Sequence, residues 1–79
     1  HEMWHFKSGG EIMNSYGQIL RDLRKARNET MKSVAAQIGI SYQALQSYEK
    51  EQRTPRDETK IKLAHYYNVP IESIFFANQ

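Results

Sequence analysis

Among its 79 residues the chain has no cysteine, only two prolines and no long apolar run. The missing thiols exclude a disulfide framework, a zinc–thiolate cluster and a thiol nucleophile. No stretch approaches the roughly 18 apolar residues of a membrane span. The first residues also lack the basic-then-apolar order of a secretory signal, so a cytoplasmic protein with no membrane partner is expected. No Ser–His–Asp set, carboxylate pair or phosphate-binding loop stands out, and the chain is read as a non-enzyme. His1 and His5 have helical metal spacing but no further ligands beside them, so neither a metal nor a cofactor is expected. Charge of one sign is also lacking: eleven Lys/Arg against nine Asp/Glu leave +2. The isoelectric point near 9.0 is compatible with a polyanionic partner, but what decides is where the charges gather. A domain this small without covalent staples depends on well-packed helices or on oligomerisation.

Residues 1–12 differ from the rest. Met3, Trp4, His5, Phe6 and Lys7 follow no period, and Ser8-Gly9-Gly10 reads as a linker. This segment is expected to be a leader, either added ahead of a natural start at Met13 or an unstructured arm, with one domain over residues 13–79. Without it, ten basic and seven acidic residues leave +3.

From Tyr16 the helical period is clear. Tyr16, Ile19, Leu20 and Leu23 stand at i, i+3, i+4 and i+7, and Asn28-Glu29 breaks the pattern. Thr30 is placed to cap a second helix with Met31, Val34, Ala35 and Ile38 inward, and Gly39 marks its left-handed end. Ser41 is placed to cap a third, burying Ala44, Leu45 and Tyr48. Pro55-Arg56 precedes a fourth, with Ile61, Ala64 and Tyr67 expected inward and Asn68 as its stop. A short fifth follows Val69-Pro70, carrying Ile71, Ile74 and Phe75. No segment alternates at period two, so the fold class expected is all-α, five short helices without strands.

The informative stretch is Thr30 to Tyr48. Two short helices joined by about four residues, with a glycine at the bend, set the second at a steep angle to the first. An exposed helix of this kind fits the roughly 12 Å major groove of DNA. Its outward face carries Tyr42, Gln43, Gln46 and Ser47, all able to hydrogen-bond and none charged, whereas a merely solvated face usually carries Lys and Glu.

Thr30-x-x-x-Val34-Ala35-x-x-Ile38-Gly39-Ile40-Ser41, Leu45-x-x-Tyr48-Glu49, Pro55, Lys62-Leu63-Ala64, Asn68-Val69 and Ile74-Phe75 occur in this order. On these residues the chain resembles the Cro/phage-repressor, or Xre-type, helix-turn-helix regulators, from Tyr16 to Phe76. The resemblance implies a compact five-helix, lambda-repressor-like DNA-binding domain. It assigns Tyr42, Gln43 and Gln46 to bases and Ser47 to the edge of the groove; Gln there can grip adenine in a bidentate pair. Thr30, Lys32, Ser41, Lys50 and Arg53 would meet phosphates. Arg24 would pair with Glu49 as a structural ion pair. Independently of the resemblance, Phe75 and Phe76 are expected at a subunit interface, because little else exposed is apolar.

Three positions depart from the family pattern. Glu51 stands where the family usually has Gly. A left-handed residue there would cost Glu roughly 1 kcal/mol, with its charge near the phosphate path. Met31 occupies a site often held by a phosphate-binding Gln. Asp57 replaces a usually apolar residue, so the start of the fourth helix is expected to pack loosely.

The resulting expectation is a sequence-specific transcriptional regulator, a repressor binding a palindromic double-stranded operator as a homodimer. A length near 67 residues after the leader is read as leaving no room for a sensor domain. An antitoxin of the same fold, which neutralises a protein toxin and represses its own operon, is the alternative. A protein partner, toxin or anti-repressor, is left open, as is use of the fold purely for protein interaction.

Overall fold

Each apolar stripe becomes one helix in the computed structural model, which describes residues 15–76. The expected leader, His1 and His5 included, lies outside the described residues. The order is α1 (Tyr16–Ala26), α2 (Met31–Ile38), α3 (Tyr42–Glu49), α4 (Asp57–Tyr67) and α5 (Ile71–Phe75), with no strand among the described residues. Helix α1 packs on α3 and α5, α2 on α3 and α4, and α4 on α5. Each helix sends one side chain into full burial: Leu20, Val34, Leu45, Leu63 and Ile74. Removing such a side chain from water is worth roughly 1.5–3 kcal/mol, so the centre of the domain depends on all five helices at once.

The caps fix where α2 and α3 begin. The Thr30 hydroxyl accepts from Ser33 N–H at 3.1 Å, and the Ser41 hydroxyl accepts from Ala44 N–H at 3.0 Å. Gly39 ends α2 at φ +88°, its N–H donating to Ala35 C=O at 2.8 Å. A Cβ on Gly39 would meet nothing within 4 Å, so this glycine is there for its backbone angle rather than for space. Asn68 ends α4 at φ +59°.

One expectation about α4 needs correction. Ile61 is not inward; it is 59 % exposed, and Leu63 is buried with Ala64 and Tyr67. At about 100° per residue, Ala64 and Tyr67 are compatible with a neighbour on either edge of the stripe, and the packing of α4 in the core selects Leu63. Ile61 instead lines a shallow groove with Gln37, Ile38, Lys62, His65 and Tyr66. The start of α4 also does without an apolar side chain at Asp57. That residue is exposed with Glu58 in the first turn, where carboxylates favour the positive end of the helix, and Pro55 is buried just before it.

The α1–α2 loop is clipped onto α4. Glu29 accepts from the Tyr66 hydroxyl at 2.8 Å and from Arg27 Nε at 3.1 Å, and Arg27 lies 4.7 Å from the Tyr66 ring centre. The Tyr66 hydrogen bond, then Arg27, hold the Glu29 carboxyl below its usual range.

Tyr67 is 5 % exposed, and its hydroxyl has no partner among the described residues. Burial, then the nearby Glu49 charge, push this phenol above its ordinary value of 10.0. Stability from the neutral phenol is therefore complete below about pH 10 and falls as pH rises above it, because the unfolded tyrosine ionises first. Tyr67→Phe removes both the orphaned hydroxyl and this alkaline loss. Urea unfolding should show a gain of about 1 kcal/mol at neutral pH that widens above pH 10. A loss at neutral pH would show that the hydroxyl has a partner in solution.

Candidate nucleic-acid interface

Helix α3 has two unlike faces. Leu45, Tyr48 and Glu49 are buried, while Gln43 is exposed and Tyr42, Gln46 and Ser47 are partly so. Residues 42 and 46, and 43 and 47, lie one turn apart, so all four share the outer face. Gln46 Nε2 donates to the Tyr42 hydroxyl at 3.4 Å, which aligns the two side chains. The amide oxygen of Gln46 and the whole amide of Gln43 remain to meet a partner's donors and acceptors.

The inner face of α3 is locked to α1. Arg24 Nε donates to Glu49 Oε2 at 2.7 Å and Arg24 Nη2 to Glu49 Oε1 at 2.9 Å, a two-pronged ion pair. Glu49 is 3 % exposed and Arg24 12 %. The hydrogen bond to Glu49 is the main reason the guanidinium lies above its ordinary range, against the opposing effect of burial. A third prong runs from Arg24 Nη1 to Glu29 C=O at 3.2 Å. One side chain therefore joins the end of α1, the loop entering α2 and the end of α3.

The five candidate phosphate contacts, Thr30, Lys32, Ser41, Lys50 and Arg53, are all exposed. Thr30 and Ser41 spend their hydroxyls on capping Ser33 and Ala44. The earliest amides of α2 and α3 have no intrahelical acceptor and can meet an anion. Arg53 is held by its backbone, whose carbonyl accepts from the Tyr16 hydroxyl at 2.9 Å, and its guanidinium lies 5.8 Å from the Tyr48 ring centre. Met31 packs partly buried against the core, as an apolar side chain in place of a polar one should. Phe75 is partly buried with its ring centre 5.7 Å from that of Tyr16, and Phe76 is 40 % exposed. Lys60 Nζ lies 5.4 Å from each of the two phenylalanine rings.

Several participants escaped the sequence reading. Arg21 Nη1 donates to Glu49 C=O at 3.1 Å, and Gly17 N–H donates to Glu51 Oε2 at 3.0 Å. Glu51 is left-handed, φ +61°, as its position suggested, but its carboxylate is bound to α1 rather than idle beside a phosphate path. A signal for this was present. Glycine in the first turn of a helix, with no acidic residue there, points to close packing and to a cap supplied from elsewhere.

A short capped helix, a left-handed glycine turn and a second helix with a polar, uncharged outer face define a helix-turn-helix DNA-binding domain. The helix-turn-helix family model matches residues 20–74. The chain belongs to this family, in its Cro and phage-repressor branch, a family of DNA-binding regulators rather than enzymes. It is 40 % identical over 59 residues to the cryptic phage CTXphi transcriptional repressor RstR of Vibrio cholerae, covering 75 % of this chain and 53 % of RstR. Over 66 residues it is 39 % identical to the uncharacterised HTH-type transcriptional regulator RghRB of Bacillus subtilis, strain 168, covering 82 % of this chain and 48 % of RghRB. The HTH-type transcriptional regulator ImmR of the same organism is 34 % identical over 55 residues, 70 % of this chain and 43 % of ImmR. The chain thus spans about half the length of the curated relatives it matches. No helix among the described residues is long and apolar enough to cross a membrane.

Removing one partner of a buried ion pair leaves the other charge uncompensated. Glu49→Ala and Arg24→Ala should each cost about 3–5 kcal/mol in urea unfolding. Arg24→Met with Glu49→Leu should cost less than either, because no charge is then stranded. If the three variants lose stability additively, the two residues do not act as a pair.

Proposed function

We propose that this chain is the DNA-binding domain of a sequence-specific transcriptional repressor that acts as a homodimer on a two-fold-symmetric operator in the cytoplasm. The observation that carries the proposal is α3, with an inner face fixed by Leu45, Tyr48 and the Arg24–Glu49 pair and an outer face of Tyr42, Gln43, Gln46 and Ser47. Uncharged donor-and-acceptor side chains on a firmly held helix are what base edges in a major groove require. The similarity to RstR, a phage repressor by name, supports the direction of regulation.

Thr30, Lys32, Ser41, Lys50 and Arg53 set the register on the backbone, and the α3 face reads bases. One domain presents one such helix, so a palindromic site needs two copies, which Phe75 and the exposed Phe76 at the end of α5 would join. The two recognition helices then lie about 10 bp apart, roughly 34 Å. Repression follows from occupying the promoter.

Selection from a random duplex library should enrich a two-fold-repeated site, and footprinting should show two half-sites one helical turn apart. A single half-site bound one-to-one would contradict the dimer. On the enriched duplex, Gln43→Ala and Gln46→Ala should lower affinity by about 1–3 kcal/mol and relax specificity. Lys50→Ala should weaken binding to enriched and scrambled duplexes alike and flatten the log K against log salt slope by about 0.9. Equal losses on both duplexes for the glutamine variants would remove α3 from base reading.

A further inference from the structure

Helix α1 begins without a cap of its own. Ser15, its N-cap residue, makes no side-chain capping bond, and no acidic residue stands in the first turn. The missing acceptor comes from 34 residues away, where Glu51 Oε2 accepts from Gly17 N–H at 3.0 Å. Glu51 sits in the loop just past α3 at φ +61°, a conformation unfavourable to any residue with a Cβ. The opposing surface is equally specific. A Cβ on Gly17 would stand 2.4 Å from Glu49 C=O, 2.7 Å from Glu51 Cγ and 2.9 Å from Glu51 Oε2. Two further bonds join the same segments: Arg21 Nη1 to Glu49 C=O at 3.1 Å and the Tyr16 hydroxyl to Arg53 C=O at 2.9 Å. The first two turns of α1 thus grip residues 49–53, the end of the recognition helix and the loop carrying Lys50 and Arg53.

We infer that Glu51 is a positioning residue for DNA recognition. Its carboxylate caps α1, and the α1 turn, approached closely because residue 17 is glycine, sets the angle of α3 and the path of the loop beyond it. The inference rests on the reading of α3 as the base-contacting helix. A carboxylate at the positive end of a helix is favourably placed, and its charge is satisfied there rather than repelling a phosphate. Glu51 at this position therefore exchanges some backbone strain for a tie between two helices that glycine could not make.

The test has a limb that needs no DNA. Gly17 N–H, in the first turn of α1, has no intrahelical acceptor; it is buried beneath residues 49–51, and the only hydrogen bond that protects it among the described residues is the one to Glu51. Exchange at Gly17 in Glu51→Ala should be roughly tenfold faster than in the unmodified chain, or more, while core amides such as Leu45 stay protected. Glu51→Gln, which keeps an acceptor oxygen, should retain part of the protection. Unchanged exchange at Gly17 in Glu51→Ala would overturn the inference whether or not the chain binds DNA.

The second limb compares the library-enriched duplex with a scrambled duplex of equal length, well below the melting temperature of each variant. Glu51→Ala should lower affinity for the enriched duplex at least several-fold more than for the scrambled one, with Glu51→Gln intermediate. Tighter binding of Glu51→Ala to both duplexes, fading with salt, would mean that the carboxylate repels phosphates and positions nothing. Equal affinity ratios in all three proteins would leave Glu51 a plain stabiliser and equally overturn the inference. Failure of the unmodified chain to enrich any duplex would count against the DNA-binding reading itself, and the exchange limb would still decide whether Glu51 ties α1 to α3.

Discussion

Taking a guanidinium and a carboxylate out of water costs several kcal/mol per ion, and only close, hydrogen-bonded geometry returns it. Arg24 and Glu49 meet that condition with two short bonds between them and a third from Arg24 to the Glu29 carbonyl. A well-packed apolar pair could equally stabilise such a site, so what the ion pair adds is direction. A guanidinium donates to a carboxylate in one plane and over a narrow range of distance, whereas apolar contacts such as those of Leu45 and Tyr48 are non-directional. If the outer face of α3 reads base edges, as proposed, that constraint links the core to the reading surface. The bond from Arg21 to the Glu49 carbonyl and the Glu51 cap on α1 extend the same control beyond the end of the helix.

The five helices were legible because their signals are local. Apolar residues recur at the 3.6 period, Thr30 and Ser41 stand one residue before α2 and α3, and Gly39 and Asn68 sit at left-handed ends. The outer face of α3 was legible for the same reason, since residues 42, 43, 46 and 47 fall opposite the residues that bury. Legibility ended where two elements compete for one side chain. Ile61 and Leu63 are both strongly apolar, and only the packing of α4 against its neighbours decides that Leu63 goes inside.

Long-range polar contacts were the least legible part. Glu51 reads in sequence as a poor substitute for glycine, and its backbone is indeed left-handed. Gly17 hints at close packing and an outside cap, but the pattern could not show that Glu51 is the carboxylate that meets it, because the two are 34 residues apart. Tyr16 on Arg53 and Tyr66 on Glu29 are similar cases, each joining a loop to a distant helix by one hydroxyl. Such bonds have no period and no fixed spacing. They nonetheless fix the loop before α2 and the loop after α3, and with the latter the place of Lys50 and Arg53.

Whether α3 meets DNA with the face assigned to it can be read residue by residue from backbone amide shifts as an enriched duplex is added to the protein. If α3 reads the groove, the largest changes fall on residues 41–47, with a second group at residues 30–32 and 50–53. The amides around Ile38, Ile61 and Tyr66, in the α2–α4 groove, stay nearly still. Changes centred on that groove, with Gln43 and Gln46 unmoved, would contradict the assignment of α3 as the DNA-reading helix.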